Sequence, residues 1–258
     1  MKTVQLGTIT VGAGMPKVAA PIVGKTADEI IASARQIASA ACDIAELRAD
    51  YYERVTERDT LLLTLERVRD ALDTKPLIFT FRSAGEGGMA QISAEDYASL
   101  AIAAAESGLV DAVDLEIFTG DALVRQCVSA IHAAGRVVIG SSHDFQKTPP
   151  KNVLIGWMRK AQEMDADIAK IAVMPQNRAD VLTLLAAAEE MTRLYADRPI
   201  AAMSMSALGV ASRLCGESFG SSITFGTVAQ ASAPGQPPVD ALNTALRILH
   251  DAEKGANV

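Results

Sequence analysis

Eight short apolar runs alternate with eight longer helical patterns along this chain of 258 residues. The runs, at 18–23, 43–49, 77–82, 110–116, 136–142, 167–173, 199–205 and 222–226, are short and rich in aliphatic residues, as buried strands are. Helical spacing fills 26–40, 56–73, 94–107, 120–134, 151–164, 178–195, 206–216 and 238–252. Strict alternation of this kind predicts an α/β protein with a parallel sheet. Eight repeats in roughly 250 residues match a (β/α)8 TIM barrel forming one domain over residues 1–258. A doubly wound open sheet is the alternative, because alternation alone does not show closure. No Gly-rich dinucleotide or phosphate-binding fingerprint follows the first strand. Ahead of it, Val4-Gln5-Leu6 and Thr8-Ile9-Thr10-Val11, with Gly7 and Gly12, predict a β-hairpin within 1–17, placed to close the bottom of a barrel. The stretch Ala231–Pro238 reads as one loop.

Composition narrows the function classes. Hydrophobic residues at 49% and charged residues at 21% are those of a globular protein. A net charge of -7 argues against general nucleic-acid binding, yet leaves room for an anionic ligand held by local arginines. Cys42, Cys127 and Cys215 are widely spaced and form no CxxC pair, which suits a reducing cytoplasm and buried apolar roles. No apolar run approaches the roughly 20 residues needed to cross a bilayer, and the first residues lack a signal-peptide core.

Side chains alternate faces along a strand. Ile44, Glu46 and Arg48 share a face, as do Ile78, Thr80 and Arg82; Ala112, Asp114 and Glu116; Val137, Ile139, Ser141 and His143; and Ile168, Lys170 and Ala172. The opposite faces, such as Leu77, Phe79 and Phe81, are apolar throughout. One face therefore begins apolar and turns charged toward the C-terminal ends of the strands, where barrel active sites form. Each charge alone is accounted for by a solvated strand end. Seven of the same polarity on five strands point to a convergent site.

Lys170 stands in Ile168-Ala169-Lys170-Ile171-Ala172-Val173, where an ammonium loses water. A lysine neutral part of the time is a nucleophile able to form an imine; the alternative is a lysine snorkelling to solvent or paired with a carboxylate. His143 suits general acid–base work or a structural role, and the metal reading is weak, since no second His or Cys has ligand spacing. His132 and His250 fall in helical patterns and read as exposed. Glu86, in the loop Arg82-Ser83-Ala84-Gly85-Glu86-Gly87-Gly88, reads as an exposed loop carboxylate or as a partner for a histidine.

Several segments together resemble the type I 3-dehydroquinate dehydratases, the Schiff-base enzymes of the shikimate pathway. They are Glu46-Leu47-Arg48-Ala49-Asp50, Phe79-Thr80-Phe81-Arg82-Ser83 with Glu86-Gly87-Gly88, Ser142-His143-Asp144-Phe145 and Lys170-Ile171-Ala172-Val173-Met174-Pro175. Met203-Ser204-Met205-Ser206 with Ser212-Arg213, and Ala231-Ser232-Ala233-Pro234-Gly235-Gln236, complete the set in order. The resemblance implies a (β/α)8 barrel, usually a homodimer, that acts on the small molecule 3-dehydroquinate with no metal or organic cofactor; the cytoplasmic setting and the lack of a nucleic-acid or membrane partner follow from the cysteines, charge and hydropathy above. By the same resemblance Lys170 forms the imine, His143 moves protons and Glu86 pairs with His143. Arg213 holds the substrate carboxylate. Glu46, Arg48 and Arg82 bind ring hydroxyls, and Ser232 and Gln236 belong to a closing loop. Pro21 departs from the pattern, standing where the family commonly has a serine; it supplies neither hydroxyl nor backbone donor.

Two further expectations concern charge. Arg48, Arg82 and Arg213 would hold Lys170 neutral, with Glu46 and Glu116 opposing, and Glu86 would favour the cationic form of His143. Two rivals stay open. An imine-forming aldolase would want a phosphate site after strands seven and eight, whereas Ser232–Gln236 is not a Gly-rich turn at a helix start. A catalytically silent barrel would have little reason to carry lysine, histidine, glutamate and arginines together.

Overall fold

A computed structural model of the chain describes residues 2–255; Met1 and 256–258, at the ends of the expected domain, lie outside the described residues. The hairpin forms as β1 (Val4–Leu6) and β2 (Ile9–Val11), antiparallel in register Val4 to Val11. Its turn needs Gly7 at φ 52°, in the left-handed region, with Asp111 and Pro76 pressed close.

Eight parallel strands follow: β3 (Lys17–Ile22), β4 (Ile44–Arg48), β5 (Leu77–Thr80), β6 (Ala112–Glu116), β7 (Val137–Asp144), β8 (Ile168–Val173), β9 (Ile200–Ser204) and β10 (Ile223–Phe225). Each strand from β3 to β9 pairs with the next, and β10 returns to pair with β3. The seam between β9 and β10 is thin. One bridge joins Ile200 to Ser221, the Ser222 N–H donates to the Ile200 carbonyl at 2.7 Å, and Ser221 Oγ accepts from the Ala202 N–H at 3.0 Å. The ring is thus nearly closed, a (β/α)8 barrel rather than an open doubly wound sheet.

The covering helices are α1 (Ala27–Ser39), α2 (Arg58–Leu72), α3 (Ala94–Glu106), α4 (Asp121–Ala133), α5 (Lys151–Glu163), α6 (Arg178–Leu194), α7 (Val210–Leu214) and α8 (Val239–Gly255). Their local signals agree with the sequence. Thr26 caps α1 with a reciprocal Glu29 contact, and Ser93 and Asn177 cap α3 and α6. The exception is α7, expected over 206–216 and reduced to five residues. Ser206 adopts φ 57°, and a Cβ on Gly209 would lie 2.3 Å from the Ser204 and Met205 carbonyls, so the chain after β9 makes a tight turn before any helix can start.

Two apolar layers result. Outward strand residues such as Ala45, Leu47, Phe79, Val113, Leu115 and Ile171 pack under the helices. Inward ones, including Ala19, Ile44, Ile78, Ala112, Ile139, Ile168 and Ile223, join Leu6 and Val11 of the hairpin in a second cluster. The hairpin therefore plugs the N-terminal end of the barrel with fully buried side chains.

Candidate active site

Moving two residues toward the C-terminal end of each strand changes the barrel interior from aliphatic to ionic. Glu46, Arg48, Arg82, Asp114, Glu116, Lys170 and Arg213 are all buried. Such charges are tolerated only when paired and hydrogen-bonded, and most of these are.

Lys170 leaves β8 and crosses the barrel. Its Nζ donates to Asp114 Oδ2 at 2.8 Å and to Glu46 Oε1 at 3.2 Å, and lies 4.6 Å from the centre of the Phe225 ring. The groups hydrogen-bonded to the amine are carboxylates: of the opposing influences expected on it, Glu46 is in contact, and Asp114 joins it. Arg48 is turned onto Asp50, with Nε and Nη2 donating to its two oxygens at 2.8 Å each. Arg82 donates to Asp114 at 2.7 Å, Glu116 at 3.0 Å and Ser141 at 3.0 Å. Glu116 faces Arg82 and also accepts from Ser83 N–H at 2.8 Å and Ser83 Oγ at 2.7 Å, so it does not oppose the arginines at the lysine. Arg82 lies just past the end of β5 rather than inside the strand.

His143 is backed by Glu86. The Oε2 atom of Glu86 accepts from the His143 backbone N–H at 3.0 Å and sits 2.8 Å from Nδ1. This double acceptance is satisfied when Nδ1 carries the hydrogen, which leaves the Nε2 lone pair for the cavity that His143 lines. The loop that carries Glu86 is tightly turned. Gly87 has φ 85°, with the Phe145 ring so near that a Cβ would lie 2.4 Å from it, and a Cβ on Gly88 would strike the Arg82 carbonyl. Burial pushes the Glu86 carboxyl up to about 8, with Arg82 pulling against it. Burial pushes the His143 imidazole well below its usual range, and the Arg82 and Lys170 cations add to that. Burial thus works against the imidazolium that Glu86 was expected to favour and toward the neutral imidazole that a base requires. His132 and His250, read as exposed, are half-buried and pair with Asp167 at 2.9 Å and Glu217 at 2.6 Å.

Arg213 differs from every other buried arginine here. Helix α7 is pinned by Ser212 Oγ, which accepts from the Ser204 N–H at 2.8 Å, and Thr224 Oγ1 donates to the Arg213 carbonyl at 3.1 Å. The guanidinium so placed has no carboxylate partner among the described residues, and its buried Nε has no hydrogen-bond partner. Desolvation lowers its pKa to about 10. A buried, planar cation without a carboxylate partner, beside a cavity, is a berth that a carboxylate would fit.

The loop after β10 covers this berth. The Pro234 carbonyl accepts from the Ser206 N–H at 3.1 Å and lies 3.5 Å from Arg213 Nη2. Arg48 Nη1 donates to the Ser232 carbonyl at 3.1 Å, and Gln236 Oε1 accepts from the Ser232 N–H at 2.9 Å.

Of the nine residues singled out from the sequence, eight line one cavity: Glu46, Arg48, Arg82, His143, Lys170, Arg213, Ser232 and Gln236. Glu86 stands behind His143. The cavity encloses about 440 Å³ of space, its open mouth included. The lining also includes the apolar residues Phe145, Ala172, Met203, Met205 and Phe225. Sequence reasoning gave Asp114 no role of its own, although Asp114 touches Lys170, Arg82 and Ser141 together. The available signal was its place one strand step above Ala112 on the inward face.

Comparison with known proteins agrees with this geometry. Residues 18–253 match the family described as type I 3-dehydroquinase. A 3-dehydroquinate dehydratase of Salmonella agona is 50% identical over 252 residues, covering 98% of this chain and all of that one. The solved type I 3-dehydroquinate dehydratase of Clostridium difficile superposes with a TM-score of 0.95 at 45% identity, covering 97% of this chain and 99% of that one. The 3-dehydroquinate dehydratase of Geobacillus kaustophilus gives 0.94 at 35% identity, covering 97% of each chain.

Proposed function

The chain belongs to the type I 3-dehydroquinase family, and on that premise we propose that it dehydrates 3-dehydroquinate to 3-dehydroshikimate through an imine on Lys170. One observation carries this reading: the Lys170 amine, the His143 imidazole backed by Glu86 and a guanidinium without a carboxylate partner among the described residues face the same cavity. Arg213 receives the substrate carboxylate in a bidentate pair. Glu46, Arg48 and Arg82 bind ring hydroxyls. Lys170 Nζ gives up one proton and attacks the C3 ketone as the free amine; that proton is taken back as water leaves, so that ammonium and ketone give a protonated imine and water. That cation withdraws electrons from C2 and makes its proton acidic.

His143 Nε2 takes the C2 proton, and the resulting enamine expels the C1 hydroxyl as His143 returns the proton to it as general acid. Glu86 keeps Nδ1 oriented throughout. Hydrolysis of the imine frees the product and the lysine. The loop bearing Ser232 and Gln236 keeps bulk water from the imine while elimination proceeds. The same reading takes the enzyme to be a cytoplasmic homodimer that needs no metal or organic cofactor. Among the described residues no helix is long and apolar enough to cross a membrane.

The test is reduction by borohydride in the presence of 3-dehydroquinate, followed by mass analysis of the peptide that holds residue 170. A reduced adduct on Lys170 is expected. Turnover with an unmodified Lys170 peptide would overturn the imine.

A further inference from the structure

We propose that Asp114 is the positioning residue of the imine step, a fixed carboxylate that aims Lys170 Nζ into the cavity and then stays beside the imine nitrogen as its counter-charge. This rests on the imine reading above. The lysine stem is long and flexible, so its amine has no defined position unless something holds it. Two carboxylates touch it, and they differ. Glu46 lines the cavity, and its Oε1 is shared with the Thr80 hydroxyl at 2.9 Å, so an entering ligand can compete for it. Asp114 is not part of the cavity wall, and its side chain is fully buried.

Both oxygens of Asp114 are committed. Oδ2 takes Nζ at 2.8 Å, while Oδ1 takes Arg82 Nη2 at 2.7 Å and the Ser141 hydroxyl at 2.5 Å. Ser141 is braced in turn by Arg82 Nη1 at 3.0 Å. A carboxylate held from behind in this way cannot follow the substrate or swing aside.

The chemistry calls for such a group. Amine, ketone and one proton give iminium and water, and the nitrogen keeps a single hydrogen and a positive charge. It can then make one hydrogen bond, and the partner that remains out of reach of the substrate is Asp114. Burial alone would raise the carboxyl of Asp114, but the Arg82 and Lys170 cations hold it far below the usual carboxylate range. It therefore stays anionic and acts as a counter-ion rather than as a proton acceptor. A fixed charge already in place needs no reorganisation as the iminium forms.

The experiment compares the unaltered protein with Asp114→Asn and Ser141→Ala, measuring kcat, KM and the fraction trapped by borohydride at saturating 3-dehydroquinate. Asp114→Asn should lower kcat roughly 100-fold with KM within about threefold, the scale of one lost preorganised electrostatic contact, and the trapped fraction should fall. Ser141→Ala, which keeps the charge and removes one brace, should lower kcat about three- to tenfold with a smaller loss of adduct. A kcat within about threefold of the unaltered protein for Asp114→Asn, or a normal trapped fraction despite slow turnover, would overturn the proposal. If Asp114→Asn fails to fold, Ser141→Ala decides, and unchanged kcat and trapping there overturn it. An unaltered protein that turns over yet traps no adduct defeats the imine reading itself, a result distinguishable from failure of Asp114 alone.

Discussion

The two halves of the barrel interior are built from the same strands and obey opposite rules. Ile44, Ile78, Ala112, Ile139 and Ile168 form the lower half with Leu6 and Val11 of the hairpin. Two residues further along, Glu46, Thr80, Asp114, Ser141 and Lys170 form a hydrogen-bonded ionic layer. The lower half is stabilised by water exclusion and close packing, which need no partners. The upper half stays folded because nearly every charge has a partner, and the proposed chemistry falls where a carboxylate partner is missing or replaceable, at Arg213 and Lys170. Stability and function are thus separated by one strand step, so substitutions in the two layers should fail in different ways.

The sharpest test of that separation is Lys170→Ala. It should lower turnover at least about 1000-fold, because the covalent route is lost while the rest of the site remains. Weak ligand binding should persist by calorimetry. Near-normal turnover would remove Lys170 from the chemistry. The counterpart in the lower half is Leu6→Ala in the hairpin plug. It should destabilise the protein by about 3–5 kcal/mol in denaturant unfolding, the cost of a fully buried leucine and its cavity, and leave kcat of the folded protein unchanged. A loss of less than about 1 kcal/mol would mean that the hairpin is an ornament rather than a plug.

Arg213→Met removes the exception to the rule that upper-layer charges are paired. Removing the guanidinium should raise KM by roughly 100-fold, the value of a bidentate charge-assisted contact. The same change removes a buried cation without a partner, so the ligand-free protein should melt at a higher temperature. A lower melting temperature would mean that the guanidinium is satisfied by groups other than a ligand.

The sequence makes the lower layer and the polarity of the upper layer legible, because inward residues repeat every second position and that period survives folding. Glu46, Arg48 and Arg82 could be placed on the correct face from their spacing to Ile44 and Ile78. Partner choice was not legible. Arg48 turns to Asp50, two residues away and past the strand end, and Glu116 turns to Arg82 and Ser83, which removes both from the lysine they were expected to influence. Such choices depend on rotamers and cross-strand stagger, neither of which periodicity encodes. The shortened α7 has a similar origin: the tight turn at Ser206 and Gly209 is imposed by β9 and the covering loop, while the local pattern still reads as helix.

Glu86 gives the smallest effect and the finest test, because it sits where the layers' rules meet. Its carboxyl is pushed up to about 8 by burial, far above a carboxylate in an unfolded chain. Between roughly pH 4.5 and 8 the folded state therefore holds a proton that the unfolded state has released, and stability falls as pH rises through that window. Glu86→Gln keeps an oxygen to accept from His143 N–H and Nδ1 but cannot ionise. The variant should be as stable as the unaltered protein near pH 5 and more stable than it near pH 8, a gap read from unfolding curves at the two values. His143, pushed down by burial, works in the opposite sense at the acid end, where folding opposes its protonation. A gap that stays constant with pH would show that Glu86 is ionised throughout. The upper layer would then hold its proton on the imidazole, and His143 would begin the reaction as an acid rather than as a base.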